Sequence, residues 1–178
     1  MMMQPGSTGE SPEFIEFRYD KYVDTEVKMN SDLKVSLKIK FHSASESANI
    51  IGRWGNPNFT MSVSGAGSNW YIVDIFRKDR ITIPNSELKV GNVIEIVKDK
   101  NMTYIDNVLM AKHQYEQYSV ADTLLIGGNN VTLNADVYSF AIWQNDALID
   151  EYYPFVIDGK EYFKGKHTGK LLEVKIKK

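Results

Sequence analysis

The sequence predicts an all-β protein that folds as a two-sheet antiparallel β-sandwich of the jelly-roll type. Short apolar runs of strand length recur along the 178-residue chain, and turn-forming Gly, Asn and Asp residues separate them. No segment carries apolar residues at helical spacing over the length that a stable helix needs. A chain of this size is most simply one domain, so we predict one β-sandwich over residues 13–178. Residues 1–12 are rich in Gly, Pro, Ser and Thr, which predicts a flexible lead-in or linker.

The clearest strand runs from Leu33 to Phe41, where apolar residues alternate with Lys and Ser. Side chains of a strand point alternately to its two faces, so this pattern predicts one buried face and one wet face, as in an antiparallel sheet. The expected buried residues are Leu33, Val35, Leu37, Ile39 and Phe41, and the expected wet residues are Lys34, Ser36, Lys38 and Lys40.

Shorter runs between turn signals predict the remaining strands. Residues 59–64 alternate in the same way and predict a half-buried strand with Thr60 and Ser62 on its wet face. The run 70–77 is apolar on both faces apart from Asp74, which favours a central position. His113 to Ala121 is predicted to be a polar connection. Further extended segments are predicted within 14–27, 49–53, 81–83, 93–97, 102–105, 108–112 and 123–126.

The stretch from Asp136 to Leu172 predicts a closing hairpin. Asn145-Asp146 tolerates left-handed backbone and predicts the turn between its two strands. Strict alternation assigns Trp143 to packing between the sheets. It places Val137, Ser139, Ala141 and Trp143 on one face, and Tyr138, Phe140, Ile142 and Gln144 on the other.

Composition excludes several classes of function. The net charge of −2 argues against a nucleic-acid partner. The chain has 0 Cys, which excludes disulfides and thiolate metal sites and fits a protein made in a reducing compartment. Met1 to Glu10 lacks the basic flank and apolar core of a signal peptide, and no apolar run approaches the ~20 residues that would span a bilayer. We therefore expect no membrane insertion.

Catalytic patterns are not evident in the sequence. Glycoside hydrolysis needs two carboxylates on one side of a sheet, and Glu95 and Asp99 are four apart, but Asp99 is predicted to lie in a turn. Asp150 and Glu151 are adjacent and would point to opposite faces of a strand. The three histidines, His42, His113 and His167, are scattered and are expected on the surface or in loops. We predict that the protein is not an enzyme.

Aromatic and amide side chains suggest a sugar platform, since sugars need flat apolar faces together with hydroxyl partners. The competing interpretation is that these aromatics pack in the core, as they do in most β-sandwiches. Tyr115 and Tyr118 are further candidates. The predicted ligand-binding residues are Trp54, Asn56, Asn58, Asn69, Trp70 and Tyr71.

Calcium is the one metal that the sequence leaves open. Asp and Asn oxygens at a sandwich rim could hold it, yet the spacing lacks the D-x-D-x-D pattern and these residues are common turn formers. We therefore predict no cofactor. The residues that could supply calcium ligands are Asp122, Asn129, Asn130 and Asp136.

Two stretches carry a resemblance that spans residues 14–172. The first is Glu13-Phe14-Ile15-Glu16 followed by Tyr22-Val23-Asp24-Thr25, although Glu26 stands where a Gly is usual. The second is the Tyr138-Ser139-Phe140 strand with the closing Thr168-Gly169-Lys170. They resemble laminin-G-like, concanavalin A-like lectin/glucanase modules, which occur in tail, baseplate and head-fibre proteins of bacteriophages. The resemblance implies a jelly-roll fold and leaves the ligand open.

The resemblance implies a non-catalytic carbohydrate-binding module of a phage structural protein that attaches to host-surface glycans. The expected location is the virion, after synthesis in the bacterial cytoplasm, and the expected partners are a cell-surface or cell-wall glycan and other virion proteins. A homo-oligomer, such as a trimer, would supply avidity. The alternative is a structural, decoration or protein-interaction module of a virion with no glycan ligand. A glycan-degrading enzyme remains a third hypothesis, and it requires two carboxylates on one face.

Overall fold

The computed structural model describes residues 9–18, 21–43, 47–53, 58–66, 69–128 and 133–177. These residues form 15 strands and one short 3-10 turn at Asn85–Leu88. Within this part of the chain, no helix is long and apolar enough to cross a membrane. The strands are β1 (Ile15–Phe17), β2 (Lys21–Asn30), β3 (Leu33–Phe41), β4 (Ala48–Ile51), β5 (Phe59–Ala66), β6 (Asn69–Phe76), β7 (Asp79–Pro84), β8 (Val93–Asp99), β9 (Met102–Ile105), β10 (Val108–Lys112), β11 (Ser119–Gly127), β12 (Ala135–Gln144), β13 (Ala147–Ile157), β14 (Lys160–Gly165) and β15 (Leu171–Ile176).

The strands form one large antiparallel sheet that curves nearly into a barrel. Its hydrogen-bonded order is β10-β9-β8-β3-β12-β13-β14-β15-β2-β11-β4-β5-β6-β7, and β1 pairs with the first half of β12. This confirms the all-β antiparallel class. It corrects the prediction of two separate sheets, because β15 bonds to β14 on one side and to β2 on the other and so makes the sheet continuous.

The core lies inside the curve of this sheet, and β3 supplies a central part of it. Leu33, Val35, Leu37, Ile39 and Phe41 are all fully buried, as the alternation predicts. Burying each such side chain contributes about 1.5–3 kcal/mol of transfer free energy. The opposite face of β3 carries lysines and a serine and belongs to the outer surface.

Strand β12 departs from strict alternation because Tyr138 is bulged. Val137 pairs with Ile39, whereas Ser139 pairs with Lys38, so one extra residue lies between the two pairs. A bulge of one residue reverses which face the following side chains occupy. Val137 therefore shares the core face with Phe140 and Ile142, and the predicted grouping of Val137 with Trp143 is wrong.

Strand β5 is also buried more completely than its pattern predicts. Thr60 is 3% exposed and Ser62 is 4% exposed, so both faces of the strand are covered. The alternation of polar and apolar residues marks the two faces correctly but does not show that other parts of the chain cover the polar one.

Candidate ligand-binding groove

An open groove of about 400 Å³ lies on the outer face of the sheet. This volume is within the range of small-molecule binding sites. Four neighbouring strands, β12, β3, β8 and β9, supply its floor, and the β9–β10 turn supplies one end. The lining residues are Lys34, Ser36, Glu95, Val97, Asp99, Tyr104, Asn107 and Trp143.

The register of the sheet explains why these side chains meet. Trp143 lies opposite Lys34, and Lys34 lies opposite Asp99, so these three form one row across the strands. Residues directly opposite each other in an antiparallel pair share a face. A second row one step along contains Val97 and Tyr104. With strands spaced by about 4.8 Å, the two aromatic residues lie on strands roughly 14 Å apart.

Trp143 provides the largest aromatic surface of the groove. It faces outward because the Tyr138 bulge shifts it away from the core, so the prediction that it packs between the sheets is wrong. The Lys34 ammonium lies 5.2 Å from the centre of the indole ring. The same ammonium forms an ion pair with Asp99 at 3.3 Å. The Lys34 ammonium thus contacts both the partly exposed ring of Trp143 and the carboxylate of Asp99.

Polar groups surround the aromatic surfaces. The Ser36 hydroxyl donates to Glu95 Oε1 at 2.6 Å, which fixes the direction of that carboxylate. The second carboxylate oxygen of Glu95 and the amide of Asn107 add acceptors and donors at the other end of the groove. The groove therefore combines flat apolar faces with hydrogen-bonding groups of both kinds.

Glu95 and Asp99 are the two carboxylates of the groove. Asp99 is the last residue of β8, so its predicted place in a turn is wrong. Both side chains line the same face, since they are four positions apart along one strand. Their Cα atoms are about 13 Å apart at the usual rise of a strand.

The predicted sugar platform does not form one described site. Trp54 and Asn56 lie outside the described residues. Asn58 is 8% exposed and accepts hydrogen bonds from Arg77, through its backbone oxygen at 3.0 Å and its side-chain oxygen at 3.3 Å. It lies at the end of the β5–β6 hairpin where Phe59 pairs with Phe76.

The other predicted platform residues lie at the opposite end of that hairpin. Asn69 and Trp70 pair with Ala66 and Gly65 there. Trp70 packs against the core, whereas Tyr71 is exposed. Six residues of strand, or roughly 20 Å, therefore separate Asn58 from the Trp70 end.

The two tyrosines of the polar connection have different surroundings. Tyr115 is 46% exposed and its hydroxyl donates to Asp32 Oδ1 at 2.9 Å. Tyr118 is buried, and burial raises the pKa of its hydroxyl. Both rings contact Phe76, which makes them part of the wall that closes the curved sheet.

A buried ionic cluster inside the sheet was not predicted. Asp74 of β6 and Lys98 of β8 are fully buried, and the Lys98 ammonium lies 2.8 Å from Asp74 Oδ1. Thr103 of β9 donates its hydroxyl to Asp74 Oδ2 at 3.0 Å. Burial raises the pKa of Asp74, but the charge of Lys98 and the hydrogen bonds from His113 and Lys98 together hold it below its usual value.

His113 completes this cluster. It follows β10, and its two ring nitrogens contact Asp74 at 2.7 Å and Asp79 at 2.9 Å. Each ring nitrogen faces a carboxylate oxygen, so the imidazole bridges the two aspartates. His113 lies in the loop after β10, in keeping with the prediction of a surface or loop histidine, but its side chain is buried against the two aspartates.

The buried position of Lys98 could have been predicted from the sequence. It follows Ile94 and Ile96 at a spacing of two, which places a lysine on the core face of β8. Asp74 interrupts an apolar run in the same way. An isolated charge at a core position indicates an opposite charge nearby, because an unpaired buried ion is very unfavourable.

The candidate calcium residues are not gathered into one described site. Asn129 and Asn130 lie outside the described residues, and Asp122 is exposed beside Arg53 at 3.9 Å. Asp136 is 3% exposed and lies instead beside His42, whose Nε2 is 2.8 Å from Asp136 Oδ1. His42 lies at the surface, as predicted, and has Asp136 as an acidic partner.

Comparisons with known proteins assign no family. The chain matches no protein-family model and no curated protein. The fold and its groove therefore define the protein as an all-β antiparallel protein of 14–15 strands with an aromatic, polar surface groove.

Proposed function

We propose that this protein is a non-catalytic carbohydrate-binding module and that the groove over β12, β3, β8 and β9 holds the glycan. The observation that carries the proposal is the placement of Trp143 and Tyr104 in one open groove with Lys34, Glu95 and Asp99. Aromatic faces accept the C–H side of a sugar ring, and charged groups bond its hydroxyls. The proposed binding residues differ from those that the sequence indicated.

The biological setting of the proposal comes from the sequence resemblance. A concanavalin A-like module of a phage tail, baseplate or head-fibre protein would use the groove to attach to host-surface glycans. A single site of this kind binds with a dissociation constant of about 1 mM, or roughly −4 kcal/mol. A homo-oligomer in the virion, such as a trimer, raises the overall affinity through multivalency.

The test compares two tryptophan variants on a microbial glycan array and on intact bacterial cells. Trp143→Ala removes the aromatic surface of the groove and is expected to abolish binding. Trp70→Ala is the matched control, because Trp70 packs against the core elsewhere and was one of the residues that the sequence indicated. Near-UV circular dichroism verifies the fold of each variant. Binding that survives in Trp143→Ala and is lost in Trp70→Ala would contradict the groove assignment.

The alternative function is a structural or decoration module of a virion. One observation favours it: Val90, Val93, Val108 and Leu109 are 47%, 42%, 56% and 49% exposed. Val90 and Val93 lie just before and at the start of β8, Val108 and Leu109 lie at the start of β10, and the β9–β10 turn lies beside the first half of β8, where the Asp106 N–H donates to the Glu95 oxygen. Exposed apolar patches often mark protein interfaces. Light scattering of wild type and a Val108→Lys variant separates the alternatives, since only an interface patch would make oligomerisation sensitive to this change.

A further inference from the structure

A second polar cluster lies on the outer face of the sheet, away from the groove. Glu16 of β1, His42 at the end of β3 and Asp136 of β12 each offer one donor atom, and these three atoms lie within 4.8 Å of one another. The side chain of Asp136 is only 5% exposed, whereas that of His42 is 30% exposed and that of Glu16 is 48% exposed. The cluster thus combines two partly exposed side chains with one buried carboxylate.

The strand register brings the three donors together. Glu16 lies directly opposite Asp136 on the β1 side. On the other side, the His42 N–H donates to the Asn134 backbone oxygen at 2.9 Å, which continues the β3–β12 ladder by one pair. Residues at this register share one face of the sheet. Three separate strands therefore fix the positions of the three side chains.

Asn134 provides an independent observation at the same place. Its side-chain oxygen, Oδ1, is buried and has no hydrogen-bond partner within the described part of the chain. Asn134 lies opposite His42 and two residues before Asp136, so the register directs it to the same face. A buried amide oxygen without a donor costs free energy that a bound cation would recover.

We propose that Glu16, His42 and Asp136 form a binding site for a divalent transition-metal ion, with Asn134 Oδ1 as a further oxygen ligand. An imidazole nitrogen with carboxylate and amide oxygens suits Zn²⁺ or Mn²⁺ better than Ca²⁺, which prefers oxygen ligands alone. The ion would tie the short strand β1 to β3 and β12. This role is independent of the proposed glycan groove.

The observed geometry needs little change to accept the ion. His42 Nε2 and Asp136 Oδ1 are 2.8 Å apart. Two ligands with bonds of about 2.0–2.1 Å are separated by roughly 2.9 Å at the right angles of octahedral coordination and by roughly 3.4 Å at the tetrahedral angle that Zn²⁺ prefers. Binding thus replaces the direct contact between the two groups with bonds from each of them to the metal.

Two positive side chains oppose the ion and set a modest affinity. Arg18 pairs with Glu16 Oε1 at 3.0 Å, and Lys40 lies opposite Asp136 in the register. A carboxylate has two oxygens, so Glu16 can contact Arg18 with one and the metal with the other. We expect a dissociation constant of about 10 µM for Zn²⁺.

Isothermal titration of the purified chain with ZnCl₂, MnCl₂ and CaCl₂ tests the proposal. One Zn²⁺ or Mn²⁺ should bind per chain, with Ca²⁺ at least about tenfold weaker. His42→Ala and Glu16→Gln are expected to weaken binding by more than about tenfold, because each removes a ligand. His167→Ala is the matched control, since His167 is an exposed histidine in another turn. Zinc should also raise the melting temperature of wild type but not of His42→Ala.

Two results would overturn the site. One is the absence of Zn²⁺ and Mn²⁺ binding by folded wild type at up to millimolar metal. The other is binding that stays unchanged in His42→Ala and Glu16→Gln, or that His167→Ala weakens equally, which would indicate adventitious surface coordination. Both ligand variants change exposed side chains and leave the buried Asp136 in place. We therefore expect them to fold like wild type.

Discussion

The Nε2 atom of His113 lies 2.7 Å from Oδ2 of Asp74, although His113 directly follows β10 at one end of the sheet order and Asp74 lies on β6 near the other end. The second ring nitrogen of His113 reaches Asp79 at the start of β7. These contacts connect the β10 end of the sheet with the β6–β7 end. An ionic cluster therefore joins the two ends of the curved sheet, between which the described strands form no backbone pairs.

Replacing Lys98 with Met should destabilise the protein by about 3–5 kcal/mol, because it leaves Asp74 buried without its main counter-charge. The free energy of unfolding in urea measures this loss. Lys38→Met is the matched control: Lys38 is an exposed lysine on β3, and its replacement should change stability by less than about 0.5 kcal/mol. Equal effects of the two changes would show that the buried ion pair has no special role.

The carboxylate of Asp150 organises the turn before β15. It accepts hydrogen bonds from the His167 N–H at 2.9 Å and the Thr168 N–H at 3.1 Å, as well as from the Thr168 hydroxyl. Asp150→Asn would turn an amide N–H₂ group toward these donors. We expect a loss of about 1.5–3 kcal/mol at neutral pH. Asp158→Asn is the control, since Asp158 lies exposed in a two-residue turn where Asn tolerates its φ of 51°.

The cost of Asp150→Asn should depend on pH in a defined direction. Burial raises the pKa of Asp150, but hydrogen bonds from Thr168, His167 and Glu151 outweigh it and lower the pKa below the usual value. The ionised carboxylate therefore stabilises the fold above the unfolded-state pKa of about 3.9, and this stabilisation is lost as the pH falls through the folded-state value. Unfolding curves from pH 7 to pH 2 should show the difference between wild type and variant constant above about pH 5 and shrinking below about pH 4.

The groove predicts a specific effect of Glu95→Gln. The change keeps the size of the side chain but removes the negative charge of the carboxylate that accepts the hydrogen bond from Ser36. Glycan affinity should therefore fall about tenfold. Glu173→Gln on β15 is the control, because Glu173 is an exposed strand glutamate away from the groove. Affinity is measured by titration with the best glycan from the array.

The same variant tests the hydrolase hypothesis. A glycan-degrading enzyme would release reducing sugar in wild type, and Glu95→Gln would stop the release while binding persisted. Measuring reducing ends alongside affinity therefore distinguishes binding from turnover. Release of product by wild type would contradict the proposed non-catalytic function.

Deleting Tyr138 should disrupt the fold far less than deleting a paired residue of the same strand. The first deletion removes the bulge but leaves Val137 opposite Ile39 and Ser139 opposite Lys38, so both flanking segments keep their faces. We expect it to cost less than about 1.5 kcal/mol. Deleting Ala141, which pairs with Ser36, shifts one side of the strand by one position and should cost more than about 3 kcal/mol, because core side chains turn outward. Thermal unfolding of the two variants measures the contrast, and similar melting temperatures would mean that the register tolerates a slip.

Local patterns predicted the secondary structure well where one face is buried and no bulge intervenes. The alternation in β3 gave the correct core face because side-chain direction in a regular strand depends only on sequence position. The turn at Asn145-Asp146 was also predictable, since both residues adopt positive φ, of 51° and 61°. The bulge at Tyr138 was not predictable from the sequence, because it depends on how β12 pairs with two different strands.

The groove and the two polar clusters depend on pairing between distant strands. Trp143, Lys34 and Asp99 are far apart in the chain and meet only because β12, β3 and β8 are neighbours in the sheet. His113 meets Asp74 and Asp79 because the sheet curves until its two ends lie side by side. No local propensity encodes such partners, so the sequence suggested aromatic residues that are neighbours along the chain instead.

The sequence by itself determined that this protein is an antiparallel β protein with a buried face on β3 and tight turns at fixed positions. These features follow from residues within a few positions of one another. The tertiary structure decided that the sheet is continuous and curved, that an ionic cluster joins its ends, and that Trp143 faces a groove. Strand order and register decide these features, because contacts between strands lower the free energy only after distant segments have paired.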